Sequence, residues 1–217
     1  MNIETQNLQT NNVFLTGKIV SEPKFSHESY GEAFYETYLE VERLSSTKDV
    51  LPVILSEKFL NTDSMHVGHT LCLKGQYRSF NQMQDGKSKL ILRVFVREVL
   101  PQGTDIGDNI IEISGYVCKP PVYRTTPFNR EICDVLVAVN RAYNKSDYIP
   151  CIGWGRNARY LRGAKVGDRL DIVGRIQSRE YKKNLGDEVI TKTAYEISVA
   201  RVDIASQNNM LDDVEGQ

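Results

Sequence analysis

The chain has 217 residues, a hydrophobic fraction of 41% and a formal net charge of −1, which is typical of a globular protein of one or two domains. No apolar run approaches the roughly 18 residues needed to cross a bilayer, and residues 1–12 lack the apolar segment of a secretory signal. The charge is uneven: residues 1–104 carry 11 Lys+Arg and 12 Asp+Glu, whereas residues 109–205 carry 16 and 11, a net +5. The second half is therefore the one expected to meet a polyanion.

The segment at residues 12–23, which contains the first predicted strand, recurs in similar form at residues 110–121. The repeat extends through the glycines, prolines and several polar residues: Gly17 and Gly115, Pro23 and Pro121, Arg43 and Arg141, Asp49 and Asp147, Gly75 and Gly174, and Ser79 and Ser178. Its offset of 98, and then 99, residues is too long for a solenoid, whose unit is roughly 20–50 residues. We therefore predict a duplicated domain.

Each copy is predicted to consist of strands with one short helix. Apolar residues alternate with polar ones around 13–19, 35–41, 70–79 and 89–100 in the first copy, and around 111–117, 133–139, 169–178 and 191–204 in the second. A third strand is predicted at 148–154, where Pro150 indicates an edge or a bulge, and short helices are predicted at 57–65 and 156–161. Gly75 and Gly174 lie within strands, where glycine usually marks a bulge or a bend.

Five strands with a helix between the third and fourth predict an all-β protein of two tandem OB-folds, each a five-stranded Greek-key barrel. We predict barrels at 10–101 and 109–206, a linker at 102–108 and a disordered tail at 207–217. Because the linker is short and rich in Gly and Asp, the barrels should be closely tethered yet remain separate folding units.

Nothing in the sequence supports catalysis, so we do not expect an enzyme. The histidines lack a nucleophile in a signature context, and the four cysteines (Cys72, Cys118, Cys133 and Cys151) lack metal-ligand spacing. We expect buried free thiols and no metal or cofactor.

Aromatic residues alternate with cations in the second copy, which is the combination that single-stranded nucleic acid needs. Bases stack on aromatic faces, while phosphates need positive charge nearby. Trp154 has a glycine on each side, which leaves its face open, and Tyr181 precedes Lys182 and Lys183 where the fourth strand becomes a hairpin arm. About half of the tyrosines could equally pack the barrel.

The second copy resembles the bacterial single-stranded DNA-binding protein family. The resemblance is carried by VAVNRAY at 137–143, DYIPCIGWGRNA at 147–158, VGRIQSREY at 173–181 and TAYEI at 193–197. It implies base stacking by Tyr143, Tyr148, Trp154 and Tyr181, and a strand path along Arg124, Arg156 and Arg179. Lys182 and Lys183 complete the predicted DNA-binding set.

The first copy resembles the family much less. The positions that match the four stacking residues are Ser45, Val50, Ser56 and Gln82. Tyr77 and Phe80 lie near the fourth strand and could substitute in part. We expect this copy to be mainly structural or a weak accessory site. The acidic end of the chain lacks the Pro-Phe with which the family docks its partners.

We interpret the chain as a cytoplasmic, nucleoid-associated protein that binds single-stranded DNA without strong sequence preference in replication, recombination or repair. The alternative is a primosome-like OB-fold assembly module with weak nucleic-acid binding. Replication and repair proteins are candidate partners, and the resemblance implies a homodimer with four barrels. The expected dimer interface is the first strand of either copy, because an exposed edge strand pairs readily with a symmetry mate.

Overall fold

The computed structural model describes residues 10–60, 65–84, 86–104, 107–185 and 188–205. The first copy contains β1 (Asn11–Ile19), β2 (Lys24–Ser29), β3 (Glu32–Glu42), β4 (Lys48–Ser56), a 3₁₀ turn (Glu57–Phe59), β5 (Thr70–Gln84) and β6 (Lys87–Leu100). The second contains β7 (Asn109–Val117), β8 (Val122–Thr125), β9 (Glu131–Arg141), β10 (Lys145–Trp154), α1 (Arg156–Leu161), β11 (Arg169–Leu185) and β12 (Glu188–Ala205). The predicted tail at 207–217 lies outside the described residues.

Five strands of each copy close into a barrel. In the first copy the ring runs β1–β5–β6–β4–β3 and returns to β1, and in the second it runs β7–β11–β12–β10–β9 and returns to β7. The β4–β6 and β10–β12 pairings are parallel, and the remaining ring pairings are antiparallel. This Greek-key closure is the OB-fold, so the predicted fold class is confirmed.

Two short strands were missed by the sequence analysis. β2 pairs with β3, and β8 pairs with β9, and both lie outside the closed rings. β2 is exposed along nearly its whole length, and β8 has four residues. Neither strand carries the alternating buried positions from which a strand is recognised in sequence.

The helix of the second copy has the predicted bounds, Arg156–Leu161. In the first copy the helix predicted at 57–65 is only the 3₁₀ turn Glu57–Phe59 within the described residues, and residues 61–64 lie outside them. The Ser56 hydroxyl accepts a hydrogen bond from the Lys58 amide at 3.3 Å and caps this turn.

The predicted glycine bulges are both present. The pairing register shifts between Lys74 and Gly75 on β5 and between Val173 and Gly174 on β11. A Cβ on Gly75 would lie 2.5 Å from the Phe95 carbonyl oxygen, and one on Gly174 would lie 2.4 Å from that of Ser198. Only glycine permits this approach of two backbones, so the repeated glycines mark the barrel corners.

The two barrels are joined in one continuous sheet. β1 pairs antiparallel with β7, from Asn11 opposite Ile113 to Leu15 opposite Asn109. The opposite edge of β1 pairs with β5, and Lys18 and Ile19 at its end pair with β3. β7 is similarly occupied by β11 and β9. The predicted dimer interface through these strands is therefore wrong, because each first strand already pairs with its counterpart in the same chain.

Polar residues that recur in both copies form hydrogen bonds across this junction, from the first barrel to the second and from the second to the first. Asp49 of the first barrel accepts hydrogen bonds from the Ser178 amide at 2.7 Å and the Ser178 hydroxyl at 3.2 Å. Asp147 of the second barrel accepts one from the Ser79 amide at 2.8 Å. Both carboxylates are buried. The repeat of Asp49, Asp147, Ser79 and Ser178 thus reflects a pseudo-twofold interface between the copies.

Three cysteines, Cys72, Cys133 and Cys151, are buried free thiols as expected, while Cys118 is only half-buried. Within the described segments, no helix has both the length and the apolar character needed to span a membrane.

Candidate nucleic-acid interface

Trp154 lies at the end of β10 with its indole partly exposed at 38%. It is paired with Ile132 of β9, and Ile132 is in turn paired with Arg124 of β8, so these three side chains form a row across the sheet. Gly153 allows α1 to pack closely, since a Cβ there would lie 2.7 Å from Leu161 Cδ1, and Gly155 turns the chain with a φ of 51°. The flanking glycines therefore position the indole at an open corner.

Tyr148 and Tyr143 occupy the other end of the β9–β10 hairpin. Tyr148 is exposed at 45% on β10, and its amide donates to the Ser79 hydroxyl of the first barrel at 2.7 Å. Tyr143 and Asn144 both adopt positive φ in the hairpin turn, and the Tyr143 ring is almost fully exposed. A left-handed conformation at a tyrosine is uncommon, and here it projects the ring into solvent beside the barrel junction.

Tyr181 lies on the β11 arm, where its ring is partly exposed. The Arg179 guanidinium carbon lies 5.9 Å from the centre of that ring. Lys182 is exposed, but strand alternation directs it to the opposite side of β11 from Arg179 and Tyr181. The side chain of Lys183 lies outside the described part of the structure.

The sheet register brings most of these side chains to one face of the second barrel. Ile152 of β10 pairs with Ser198 of β12, and Ser198 pairs with Arg175 of β11. Because side chains repeat with period two, Tyr148 and Trp154 share the face of Ile152, and Arg179 and Tyr181 share that of Arg175. This outer face therefore carries three of the four predicted stacking residues, with Tyr143 at its rim.

The predicted cations of this face are less available than their number suggests. Arg124 forms an ion pair with Asp134 at 3.0 Å, and Arg179 forms one with Glu196 at 3.4 Å. Arg156 begins α1 and lines a shallow cleft with Tyr160 and Arg201. Of the predicted arginines, only Arg156 has no carboxylate within 4.0 Å among the residues described. The +5 charge of the second copy is thus partly neutralised at the site.

The first barrel lacks the matching face. Ser56, at the position of Trp154, is buried and donates a hydrogen bond to Glu32. Tyr77 is only 1% exposed and belongs to the core, so the expectation that it substitutes for a stacking residue is wrong. Phe80 is about half exposed on β5.

A second group of aromatic and cationic side chains in the first barrel was missed. Phe95 of β6 contacts Phe34, with ring centres 5.4 Å apart, and Phe34 stacks on His27 at 5.0 Å. The guanidinium carbon of Arg78 lies 4.1 Å from the centre of the Phe95 ring. The signal in the sequence was the spacing of two between Arg93, Phe95 and Arg97, which places them on one face of a strand.

Residues 108–210 match the model of the single-strand binding protein family. Single-stranded DNA-binding protein 1 of Lactococcus lactis is 33% identical over 88 residues, which cover 37% of this chain and 59% of that protein. Single-stranded DNA-binding protein A of Bacillus subtilis is 30% identical over 88 residues, 37% of this chain and 51% of that protein. The chain thus spans about half of the length of such relatives.

The fold of both copies has a counterpart among solved structures. The crystal structure of the wild-type single-stranded DNA binding protein from Thermus aquaticus matches with a TM-score of 0.69, covering 91% of this chain and 93% of that one at 16% identity. At this identity the likeness concerns the fold of the tandem barrels. The match to the single-strand binding protein family itself covers the second barrel, residues 108–210, whereas the likeness of the first barrel concerns its fold.

Proposed function

We propose that this protein binds single-stranded DNA without strong sequence preference, through the outer face of its second barrel. The observation that carries the proposal is the exposure of Tyr148, Trp154 and Tyr181 on one face, with Tyr143 at the rim. Aromatic rings at these positions offer stacking surfaces to unpaired bases, each worth about 1–3 kcal/mol.

Arginines and lysines supply the phosphate contacts in this proposal. Arg156 is available to a strand on the outer face, while Arg124 and Arg179 would have to exchange their carboxylates for phosphates. Lys182 would contact the strand only where it passes to the other side of the β11 arm. Such an exchange is accessible because both side chains are about half exposed, and exposed ion pairs are typically worth about 0–1 kcal/mol. Lys183 remains in the proposed set.

The limits 10–101 and 109–206 for the two barrels, with 102–108 as linker and 207–217 as tail, are part of the same proposal. So are a role in replication, recombination or repair, a place in the cytoplasm on the nucleoid, and docking of replication or repair proteins. The names of the curated relatives support DNA binding, and the comparisons do not favour the primosome-like alternative.

We also propose that the protein forms a homodimer that presents four barrels. Two competent barrels in one assembly would raise the effective concentration of the second contact along a strand. Because β1 and β7 are occupied within the chain, the dimer must form through another surface. Light scattering at micromolar concentration should give twice the chain mass of 24.7 kDa, and a monomer that binds tightly would contradict the dimer alone.

Titration with oligo-dT tests the function, with matched substitutions in the two barrels. Trp154→Ala and Tyr181→Ala should each weaken binding by about 1–3 kcal/mol. Ser56→Ala and Gln82→Ala, at the equivalent positions of the first barrel, should change it by less than about 0.5 kcal/mol. Equal losses in both barrels would contradict the asymmetric site, and no binding by the wild-type protein would support an assembly module instead.

A further inference from the structure

A polar cleft opens between the barrels beside the β9–β10 turn. The first barrel contributes Gln76, Arg78 and Arg97 to its wall, and the second contributes Arg141, Tyr143, Lys145 and Asp147. Four cations thus face one carboxylate, a formal excess of three positive charges. Asp147 is buried, accepts a hydrogen bond from the Ser79 amide and forms an ion pair with Arg141 at 3.6 Å. The charges of Arg78, Arg97 and Lys145 are therefore left without a matching carboxylate in the cleft wall.

The two arginines of the first barrel are held by neutral groups. Both donate to the Gln76 side-chain oxygen, Arg78 at 2.9 Å and Arg97 at 3.3 Å. Both also lie over the Phe95 ring, with guanidinium carbons 4.1 and 5.4 Å from its centre. Across the described ranges, no carboxylate comes within 4.0 Å of either guanidinium, in contrast to Arg124 and Arg179 of the second barrel.

The backbone brings these two cations together. Arg97 is the extra residue of the bulge on β6, since Val96 pairs with Gly75 and Glu98 with Lys74. Bulges commonly redirect a side chain. Burial, followed by repulsion from Arg97 and Arg141, lowers the pKa of Arg78 to about 10. Arg78 still carries its charge at neutral pH, and a nearby anion would relieve the repulsion.

The pseudo-twofold axis relates the residues of this cleft to equivalent positions on the other side of the junction, and those positions lack these features. At the register positions of Arg78 and Arg97, β11 and β12 carry Gln177 and Ala200. Tyr143 and Lys145 are replaced by Ser45 and Thr47. The cations on that side, Arg43 and Arg175, both form ion pairs with Asp49. Only one of the two related sets of positions therefore has a large excess of cations, and it is the one beside the exposed Tyr143.

We propose that the basic cleft is a further binding site for single-stranded DNA, in which Arg78 and Arg97 of the first barrel contact the phosphates of a strand that stacks on Tyr143. The proposal rests on the proposed function of the second barrel and extends it. The first barrel, although it lacks the stacking face, then takes part in binding. A strand held on the second barrel continues across the junction instead of ending there.

Loss of two phosphate contacts should change the dependence of binding affinity on salt concentration by a defined amount. Each contact contributes roughly −0.7 to the slope of log affinity against log salt for a single strand. Extrapolated from 1 M salt, two contacts correspond to a loss of about 14-fold at 150 mM and about 66-fold at 50 mM.

The test is Arg78→Gln with Arg97→Ala, which introduces the residues that the second barrel carries at these positions. Binding is measured with oligo-dT of about 35 nucleotides and of about 10 nucleotides, the latter within the 4–16 that one OB-fold holds. Lys18→Gln with Lys165→Gln removes the same charge outside the cleft and is the matched control. Arg97→Ala alone, at an exposed position, guards against misfolding and should cost about fourfold at 150 mM salt.

We expect the double variant to lose affinity for the long oligonucleotide, with a slope less negative by about 1.4, and to bind the short one as the wild type does. Equal affinities of the double variant and the lysine control would refute the cleft while leaving the second barrel intact. Equal losses for both lengths would also refute it, because the arginines would then act within the second-barrel site. Absence of binding by the wild-type protein would refute the proposed function and the cleft together.

Discussion

Asp49 should be the polar residue whose loss most weakens the junction between the barrels. Its carboxylate has a relative side-chain exposure of 1% and accepts hydrogen bonds from the Ser178 amide at 2.7 Å and from Arg43 Nε and Nη2 at 2.7 and 2.6 Å. Arg175 Nη1 donates to it at 3.3 Å. Asp49→Ala would leave the Ser178 amide without its acceptor and the guanidinium groups of Arg43 and Arg175 without this counter-ion.

The magnitude follows from what remains after the substitution. Removal of one partner of a buried ion pair costs about 3–5 kcal/mol. The lower end applies here, because the side chains of Arg43 and Arg175 are 23% and 36% exposed and stay partly hydrated. We therefore expect a loss of about 3 kcal/mol, or a fall in Tm of about 6–12 °C at 2–4 °C per kcal/mol for a chain of this size.

Urea unfolding followed by far-UV circular dichroism and by Trp154 fluorescence measures this loss. Asp203→Ala is the control, since Asp203 is exposed on β12 and surface changes typically stay within about 0.5 kcal/mol. An Asp49→Ala protein that unfolds within about 0.5 kcal/mol of this control would show that the carboxylate does not hold the barrels together.

Three further results should follow. The chain contains one tryptophan, so the emission of Trp154 should be quenched at saturation with oligo-dT, and an unchanged spectrum would remove the indole from the stacking set. Gly174→Ala should lower the free energy of unfolding by about 1–3 kcal/mol through overpacking, because its Cβ would lie 2.4 Å from the Ser198 carbonyl oxygen. Gly163→Ala is the control and should cost far less, since the nearest atom to its Cβ would be 3.5 Å away. Equal effects of the two substitutions would contradict the close approach at the bulge. Burial raises the pKa of Asp147 despite the opposing Ser79 amide, Arg141 and Arg78, so this group favours the native state most below its unfolded pKa of about 3.9 and loses that contribution as the pH rises through the folded value. Asp147→Asn should therefore gain stability relative to the wild type as the pH rises above about 4 in urea titrations, and a constant difference would contradict the raised pKa.

Local patterns were sufficient for the barrels themselves. The period-two alternation of apolar residues located the ring strands, the repeated glycines located the bulges, and the helix at Arg156–Leu161 was predicted with its bounds. The resemblance, and for Trp154 its flanking glycines, singled out Tyr148 and Trp154, and in the structure both are partly exposed while Ile149 and Cys151 between them are buried. These features depend on residues that lie close together in the chain, so a single amino-acid sequence is sufficient to predict them.

Other features depend on contacts that no local pattern encodes. The repeat identified Asp49, Asp147, Ser79 and Ser178 as matched residues, but it did not show whether each carboxylate binds within its own copy or across to the other. Only the pairing of β1 with β7 decides this, because it brings the two copies together about a pseudo-twofold axis. Apolar and polar residues would alternate in the same way if the first strand paired with a second chain. The sequence therefore could not distinguish this pairing from the one within the chain, which is why the predicted dimer interface was wrong.

The availability of charge was likewise decided by tertiary structure. Counting Lys and Arg along the chain favoured the second copy, yet Arg124 and Arg179 form ion pairs with carboxylates there. Arg78 and Arg97 of the first copy instead donate to Gln76 and lie over the Phe95 ring, with no carboxylate within 4.0 Å among the described residues. The potential near a guanidinium depends on the nearest charges in space, which fall off with distance and screening, and not on the net charge of its segment. Tyr77 illustrates the same point for stacking, since its place in the core became evident only when the barrel closed around it.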